Sequence, residues 1–174
     1  GATLNKLLEE TNFHFNETTN IEAKKNIAKK ASLLIENGAY IFLDAGTTTH
    51  SLIDFLDGKD VTVVTNGLMH LEKLSSLAIP TILLGGKLKA STFISYGEQT
   101  LNEISDLNFD LAFIGANGVE NKTYTTADIN EALIKKAAIR QANKAFVLAD
   151  SSKIGKKYFA NICTFEQAMH IKED

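Results

Sequence analysis

The 174-residue sequence contains no tryptophan, one proline and one cysteine. A single thiol, Cys163, excludes an internal disulfide and fits a reducing, cytoplasmic setting. No apolar run approaches the roughly 18–20 residues of a membrane-spanning helix, so no membrane partner is expected. The first stretch, GATLNKLLEETNF, carries Glu9 and Glu10 and lacks the apolar core of a secretory signal. His14, His50, His70 and His170 are scattered without metal-ligand spacing, and nothing around Cys163 marks a nucleophile. Neither a metal nor another cofactor is therefore expected, and His50 is read as a partly exposed helix residue. The net charge of −3 gives no support for broad nucleic-acid binding by this chain itself.

What is present is a chain 44% hydrophobic and 22% charged, the profile of one compact domain with a sizeable core. Residues 1–19 lack a clear period and read as a linker or arm, with Phe13 and Phe15 as packing or interface residues. Residues 20–174 read as the domain. From Ile21 the set Ile27, Ala28, Ala31, Leu34, Ile35 follows helical spacing, and Asn37-Gly38 supplies a stop, with Gly38 as the left-handed cap.

Five apolar runs follow: AYIFLD, VTVV, TILL, LAFI and AFVL. They are hydrophobic throughout rather than alternating, which suits strands buried on both faces. Helical patterns at Thr49–Leu56, Gly67–Leu77, Glu98–Leu107 and Asp128–Asn143 separate most of them. That alternation predicts an α/β fold with a mostly parallel sheet and helices on both faces.

Small, polar or cationic residues follow all five runs. The segments are Asp44-Ala45-Gly46-Thr47-Thr48-Thr49, Thr65-Asn66-Gly67, Gly85-Gly86-Lys87, Gly115-Ala116-Asn117-Gly118 and Asp150-Ser151-Ser152-Lys153. Open parallel sheets bind ligands outside the carboxyl ends of their strands, so this edge is the candidate site. Gly46 permits a tight turn, three threonines offer hydroxyls, and a helix start presents unpaired N–H groups. The turn suits a phosphate monoester; equally, Thr48 or Thr49 caps the helix. It is neither a Walker loop nor a GxGxxG dinucleotide site. Asn66 either caps the next helix or reads a sugar hydroxyl. Gly85-Gly86 is a turn beside the candidate cation Lys87, and Lys153 is a second cation at the edge. Asp128 and Glu131 make an Asp-x-x-Glu capping box, and Glu131 lies four residues before Lys135, the spacing of a helix ion pair. Both also lie near enough to the edge to contact a ligand.

In this order the motifs resemble the C-terminal effector-sensing domain of the DeoR family of bacterial transcriptional regulators. The resemblance rests on Asp44-Ala45-Gly46-Thr47-Thr48, Thr65-Asn66, Gly85-Gly86, Gly97 and Asp110-Leu111-Ala112-Phe113-Ile114-Gly115. It continues through Gly118, Thr125-Thr126, Glu131-Ala132, Lys135 and Asp150-Ser151-Ser152-Lys153. It implies a fold related to ribose-5-phosphate isomerase and the CoA transferases. It also implies an N-terminal winged helix-turn-helix, outside this sequence, through which operator DNA would be bound, and assembly as a homo-oligomer. Members typically sense phosphorylated sugars. By that resemblance the AGTTT turn holds the phosphate, while Asn66, Gly86, Lys87, Glu131, Lys135 and Lys153 line the rest. The sequence departs from the family at Thr123-Tyr124-Thr125-Thr126, where a glycine often precedes the triplet.

An isomerase of the related fold is the competing expectation. It needs a base within reach of a carbon-bound proton. The isomerases carry an acidic Asp-Gly-Ala-Asp-Glu stretch where this chain reads Ile114-Gly115-Ala116-Asn117-Gly118, and Asn117 cannot serve as that base. Glu131 is the carboxylate left, and capping accounts for it more simply. A non-enzymatic sensor is therefore the expectation.

Overall fold

The structure, a computed structural model, describes residues 20–174. The expected arm over residues 1–19, with Phe13, His14 and Phe15, lies outside the described residues. In chain order the elements are α1 (Ile21–Ser32), β1 (Ala39–Leu43), α2 (Thr47–Leu52), β2 (Val61–Thr65), α3 (Leu71–Ser76) and β3 (Thr81–Leu83). There follow β4 (Lys87–Lys89), β5 (Ile94–Tyr96), α4 (Glu98–Ser105), β6 (Phe109–Gly115), β7 (Gly118–Glu120) and β8 (Thr123–Thr126). The chain ends with α5 (Ile129–Gln141), β9 (Ala142–Leu148), β10 (Ala160–Thr164) and β11 (Met169–Ile171).

The five apolar runs become β1, β2, β3, β6 and β9, and β11 joins them in a six-stranded sheet of order β11-β9-β6-β1-β2-β3. Every neighbouring pair in it is parallel. A three-stranded antiparallel sheet, β10-β8-β7, and a β4–β5 hairpin lie outside the main sheet. These short strands went unread in the sequence because segments such as TYTT and KLK carry no apolar run.

Successive side chains of a strand point to opposite faces, and β1 shows the consequence. Ile41 and Leu43 join one core with Ile27, Ala28 and Ala31 of α1 and Leu52 of α2. Phe42 joins the other, with Ile104 of α4, Ile134 and Ala138 of α5, and Tyr124 of the small sheet. Helices thus cover both faces, as expected for buried parallel strands.

Helix α1 stops earlier than its sequence pattern. It ends at Ser32, and Leu34 and Ile35 continue in tighter turns, their N–H groups donating to Ala31 and Ser32 carbonyls at 3.0 and 3.2 Å. Gly38 is not the helix cap. It has φ 89° in the turn before β1 and donates its N–H to the Asp60 carbonyl at 2.7 Å. Similarly, α5 yields directly to β9 at Ala142, so Asn143 is a strand residue.

Phe113 is fully buried in β6 and stacks on Phe146 with ring centroids 5.9 Å apart. Phe113→Ala is expected to lower unfolding free energy by about 3–5 kcal/mol, read by urea denaturation.

Candidate functional site

The order of the main sheet reverses at β1 and β6: β2 and β3 extend one way, β9 and β11 the other. At such a switch point neighbouring connections leave to opposite faces and open a crevice beyond the strand ends. Asp44, at the end of β1, bridges it. Its Oδ2 accepts from the Gly115 N–H of β6 at 2.9 Å and pairs with Lys135 Nζ of α5; its Oδ1 accepts from the Ala45 N–H at 2.9 Å. Both partners of the ion pair are buried, Asp44 at 3% and Lys135 at 6% exposure. The carboxylate fastens two strands and a helix beneath the crevice.

The Asp44 carbonyl oxygen accepts from Thr49 Oγ1 at 2.7 Å and from His70 Nε2 at 2.7 Å. A carbonyl only accepts, so Nε2 of His70 carries the proton and its Nδ1 is the acceptor for His50 Nδ1–H, 3.1 Å away. Burial, with His50 close by, pushes the His70 pKa down to about 3, so this ring stays neutral. His50 is therefore more than a partly exposed helix residue: it completes a chain that supports the turn from below.

Above lies a cavity of about 280 Å³, just under the roughly 300–1,000 Å³ of small-molecule sites. Gly46, at φ 124°, turns the chain into α2 in a conformation that disfavours any residue with a Cβ. Neither Thr48 nor Thr49 caps α2; Thr49 is buried and spends its hydroxyl on the Asp44 and Gly46 carbonyls. Thr47 and Thr48 line the cavity, and their hydroxyls bond to no described residue. Lys24, Lys153 and Lys156 are also on its wall. Burial, and next the nearby Lys153, lowers the Lys24 pKa to about 8, while Asp150 pulls the other way.

Of the residues expected at the site, Gly46, Thr47, Thr48, Thr49, Gly115, Asn117, Glu131, Lys135 and Lys153 share this wall. Asp44 lies behind it. Asn66, Gly85, Gly86, Lys87 and Gly118 do not line it. Asn66 is buried, caps no helix, and donates from Nδ2 to the Ser95 carbonyl at 3.0 Å, tying β5 to the end of β2. The Gly85 N–H donates to Glu103 Oε1 at 3.0 Å, and a Cβ on Gly86 would collide with Thr100 Oγ1 and the Tyr96 carbonyl. Both glycines pack the turn against α4. A Cβ on Gly118 would strike the Lys156 carbonyl and Thr125 Oγ1. Lys87 is exposed on β4.

The lysine of that hairpin that reaches the site is Lys89, bound to Asp128 Oδ2 at 2.5 Å and Glu131 Oε2 at 3.0 Å. Burial, the largest single influence, lowers its pKa, but the two carboxylate partners together outweigh it and the net shift is upward. Asp128 caps α5 by accepting from the Asn130 N–H at 2.6 Å, whereas the Glu131 carboxylate turns to Lys89. Nor do Glu131 and Lys135 pair with each other, because Asp44 holds Lys135. Asn117 Oδ1 accepts from Thr126 Oγ1 at 2.6 Å and the Ala127 N–H at 3.0 Å, bracing the wall near the unusual Thr123–Thr126 segment. Lys24, Lys89, Thr92 and Lys156 were missed. Only a strand period across Lys87 and Lys89 pointed at any of them. Among the described residues no His, Cys, Asp and Glu group could hold a metal, and no helix is long and apolar enough to cross a membrane. Burial raises the Cys163 pKa to about 11, leaving a protonated thiol.

The family model described as the DeoR C terminal sensor domain matches residues 19–174. This chain belongs to the DeoR C-terminal sensor domain family. The sensor domain is 45% identical over 157 residues to an uncharacterized HTH-type transcriptional regulator, FruR, of Bacillus subtilis (strain 168), covering 89% of this chain and 62% of that protein. It is 36% identical to the lactose phosphotransferase system repressor of Staphylococcus epidermidis, covering 88% of this chain and 62% of the repressor. The sensor domain thus spans less than two thirds of the length of these relatives. In fold it is similar to ribose 5-phosphate isomerase A from Methanocaldococcus jannaschii, with a TM-score of 0.57 and 23% identity over 78% of this chain and 55% of the isomerase. It is also similar to eIF2B delta from Chaetomium thermophilum, with a TM-score of 0.66 and 16% identity over 90% of this chain and 57% of the other. The sensor domain therefore has the expected isomerase-like fold.

Removing one member of a buried ion pair strands the other charge. Lys135→Met and Asp44→Asn are each expected to destabilise the sensor domain, Lys135→Met by about 3–5 kcal/mol because it strands the Asp44 carboxylate. The double variant Asp44→Asn/Lys135→Met is expected to recover much of that loss in a denaturation series, as a double-mutant cycle reads it.

Proposed function

We propose that this sensor domain binds a phosphorylated sugar or a closely related metabolite in the switch-point cavity. The observation that carries the reading is the pairing of the unspent Thr47 and Thr48 hydroxyls, at a Gly46 turn, with Lys153 and Lys156 across one small cavity. A phosphate ester takes many short donors and neutralises clustered ammonium groups. The relative named as a lactose phosphotransferase system repressor agrees with a carbohydrate-linked effector. In the whole protein, a cytoplasmic transcriptional regulator, the bound effector would control an N-terminal winged helix-turn-helix and hence operator DNA. Assembly as a homo-oligomer would pair two such modules at a fixed spacing.

Binding without turnover is favoured by how the candidate base is spent. Glu131 is held by Lys89, and Asn117 stands where the isomerase family carries acid. The effector would act by preferring one arrangement of the turn at Gly46, the Lys153 segment and the β4–β5 hairpin, since equal affinity for two states shifts nothing.

In a thermal-shift panel, at least one sugar monophosphate should stabilise the domain by about 2.7 kcal/mol at a hundredfold excess over its Kd, while the free sugar does not. Thr47→Val and Lys153→Met should each weaken that ligand about tenfold or more with little change in the unliganded Tm. If no phosphorylated compound stabilises the domain, or free sugars match them, the reading is wrong.

The Lys24 ammonium supplies a pH test. With a pKa near 8 it is partly neutral at pH 8, and a phosphate dianion beside it favours the charged form. Binding at pH 8 should therefore take up protons, and affinity should fall as pH rises further. Calorimetry in buffers of different ionisation enthalpy reads the uptake, and Lys24→Met should abolish it.

A further inference from the structure

The two walls of the cavity differ in chemistry. Helices α1 and α2, on one face of the sheet, contribute Lys24, Thr47 and Thr48, whereas α5, on the other face, presents Asp128 and Glu131. Two carboxylates meet one ammonium there, Lys89, so that corner keeps an excess of negative charge. Two further oxygens lack partners. Asp150 is 2% exposed and lines the cavity; its Oδ1 binds Ser152, but its Oδ2 is buried with no hydrogen bond. Thr92, at the tip of the β4–β5 hairpin, lines the same cavity, and its Oγ1 is likewise buried and unbonded. Buried acceptors left without donors are costly, so a ligand that supplies hydroxyl protons removes a penalty already built in.

Resting on the phosphate-ester reading above, we infer that the effector is a monophosphate with an uncharged polyhydroxylated body. Its hydroxyls are read by Asp128, Glu131, Asp150 and Thr92, with Lys89 as the positioning residue that holds the first two. A second phosphate or a carboxylate on the far end of the ligand meets the acidic wall and is rejected, because selectivity here comes from repulsion as well as fit. Lys89 divides its charge between two carboxylates. It therefore orients them while leaving lone pairs for ligand hydroxyls, and it tethers the hairpin that carries Thr92.

Kd values are to be measured by calorimetry for glucose 6-phosphate, fructose 1-phosphate, fructose 6-phosphate, glucitol 6-phosphate, fructose 1,6-bisphosphate and 6-phosphogluconate. The best monophosphate is expected to bind at least about tenfold tighter than the bisphosphate and the phosphosugar acid. Glu131→Gln should shrink that preference to about twofold or less, whereas Lys89→Met, which removes the compensating charge, should widen it. Opposite movement of the ratio is what a merely structural role for the two residues would not produce; far-ultraviolet circular dichroism and unliganded Tm confirm that each variant is folded. Should either variant fail to fold, Thr92→Val supplies the test: it should weaken the monophosphate about tenfold through the lost hydroxyl contact. Equal or tighter binding of the bisphosphate or phosphosugar acid by the unaltered domain would overturn this inference while leaving the phosphate reading intact. Binding of none of the six would overturn this inference, and the phosphate reading falls with it only if no other phosphorylated compound stabilises the domain.

Discussion

The Asp44–Lys135 ion pair is the constraint around which the cavity is built. One carboxylate at the end of β1 takes the Gly115 N–H of β6, its own following N–H and the ammonium of α5. It thereby holds together the two paired strands whose connections leave to opposite faces at the switch point and the helix packed against them. Neither partner has an alternative in so dry a place, since separating them would leave a bare charge under the floor. The same residue's carbonyl anchors Thr49 and, through neutral His70, also His50. Above this floor the turn at Gly46 is held in place, so the Thr47 and Thr48 hydroxyls remain available rather than folding back onto the backbone.

Charge is spent in tiers. Lys135 is neutralised below the cavity and Lys89 beside it, while Lys153 and Lys156 lie on the cavity wall. Carboxylates that might have served as bases are instead acceptors held in place by lysine. That division suits recognition better than proton transfer, which calls for a group free to exchange its proton. The likeness to an isomerase extends to the scaffold, whereas the relatives in sequence are transcriptional regulators.

The parallel sheet and the crevice edge were legible in the sequence, because unbroken runs such as LAFI suit strands covered on both faces; β3 is the exception, an edge strand that leaves Ile82 and Leu83 exposed. The turn at Gly46 and the lysine after AFVL were legible for a related reason: polar residues directly beyond buried strands have no core to enter. The short strands β4, β5, β7, β8, β10 and β11 were not, since three to five polar or mixed residues are too short a stretch for a period to stand out. Consequently the reach of Lys89 and Thr92 from the hairpin went unseen, and Lys87 stood in their place.

By itself the sequence determined the class of fold, the membership its ordered motifs imply, and the edge of the sheet where the crevice lies. These follow from local patterns of burial and from turn chemistry. The ends of β1, β6 and β9 line the cavity, whereas those of β2 and β3 do not. Tertiary structure alone decided which polar groups spend their hydrogen bonds inward. Asp44, Thr49, Asn66 and Gly85 turned out to be braces, and Glu131 a held acceptor, because their partners come from elements 18 to 91 residues distant or from the backbone of the turn itself. Partner choice across the fold depends on three-dimensional proximity, and no spacing along the chain encodes it.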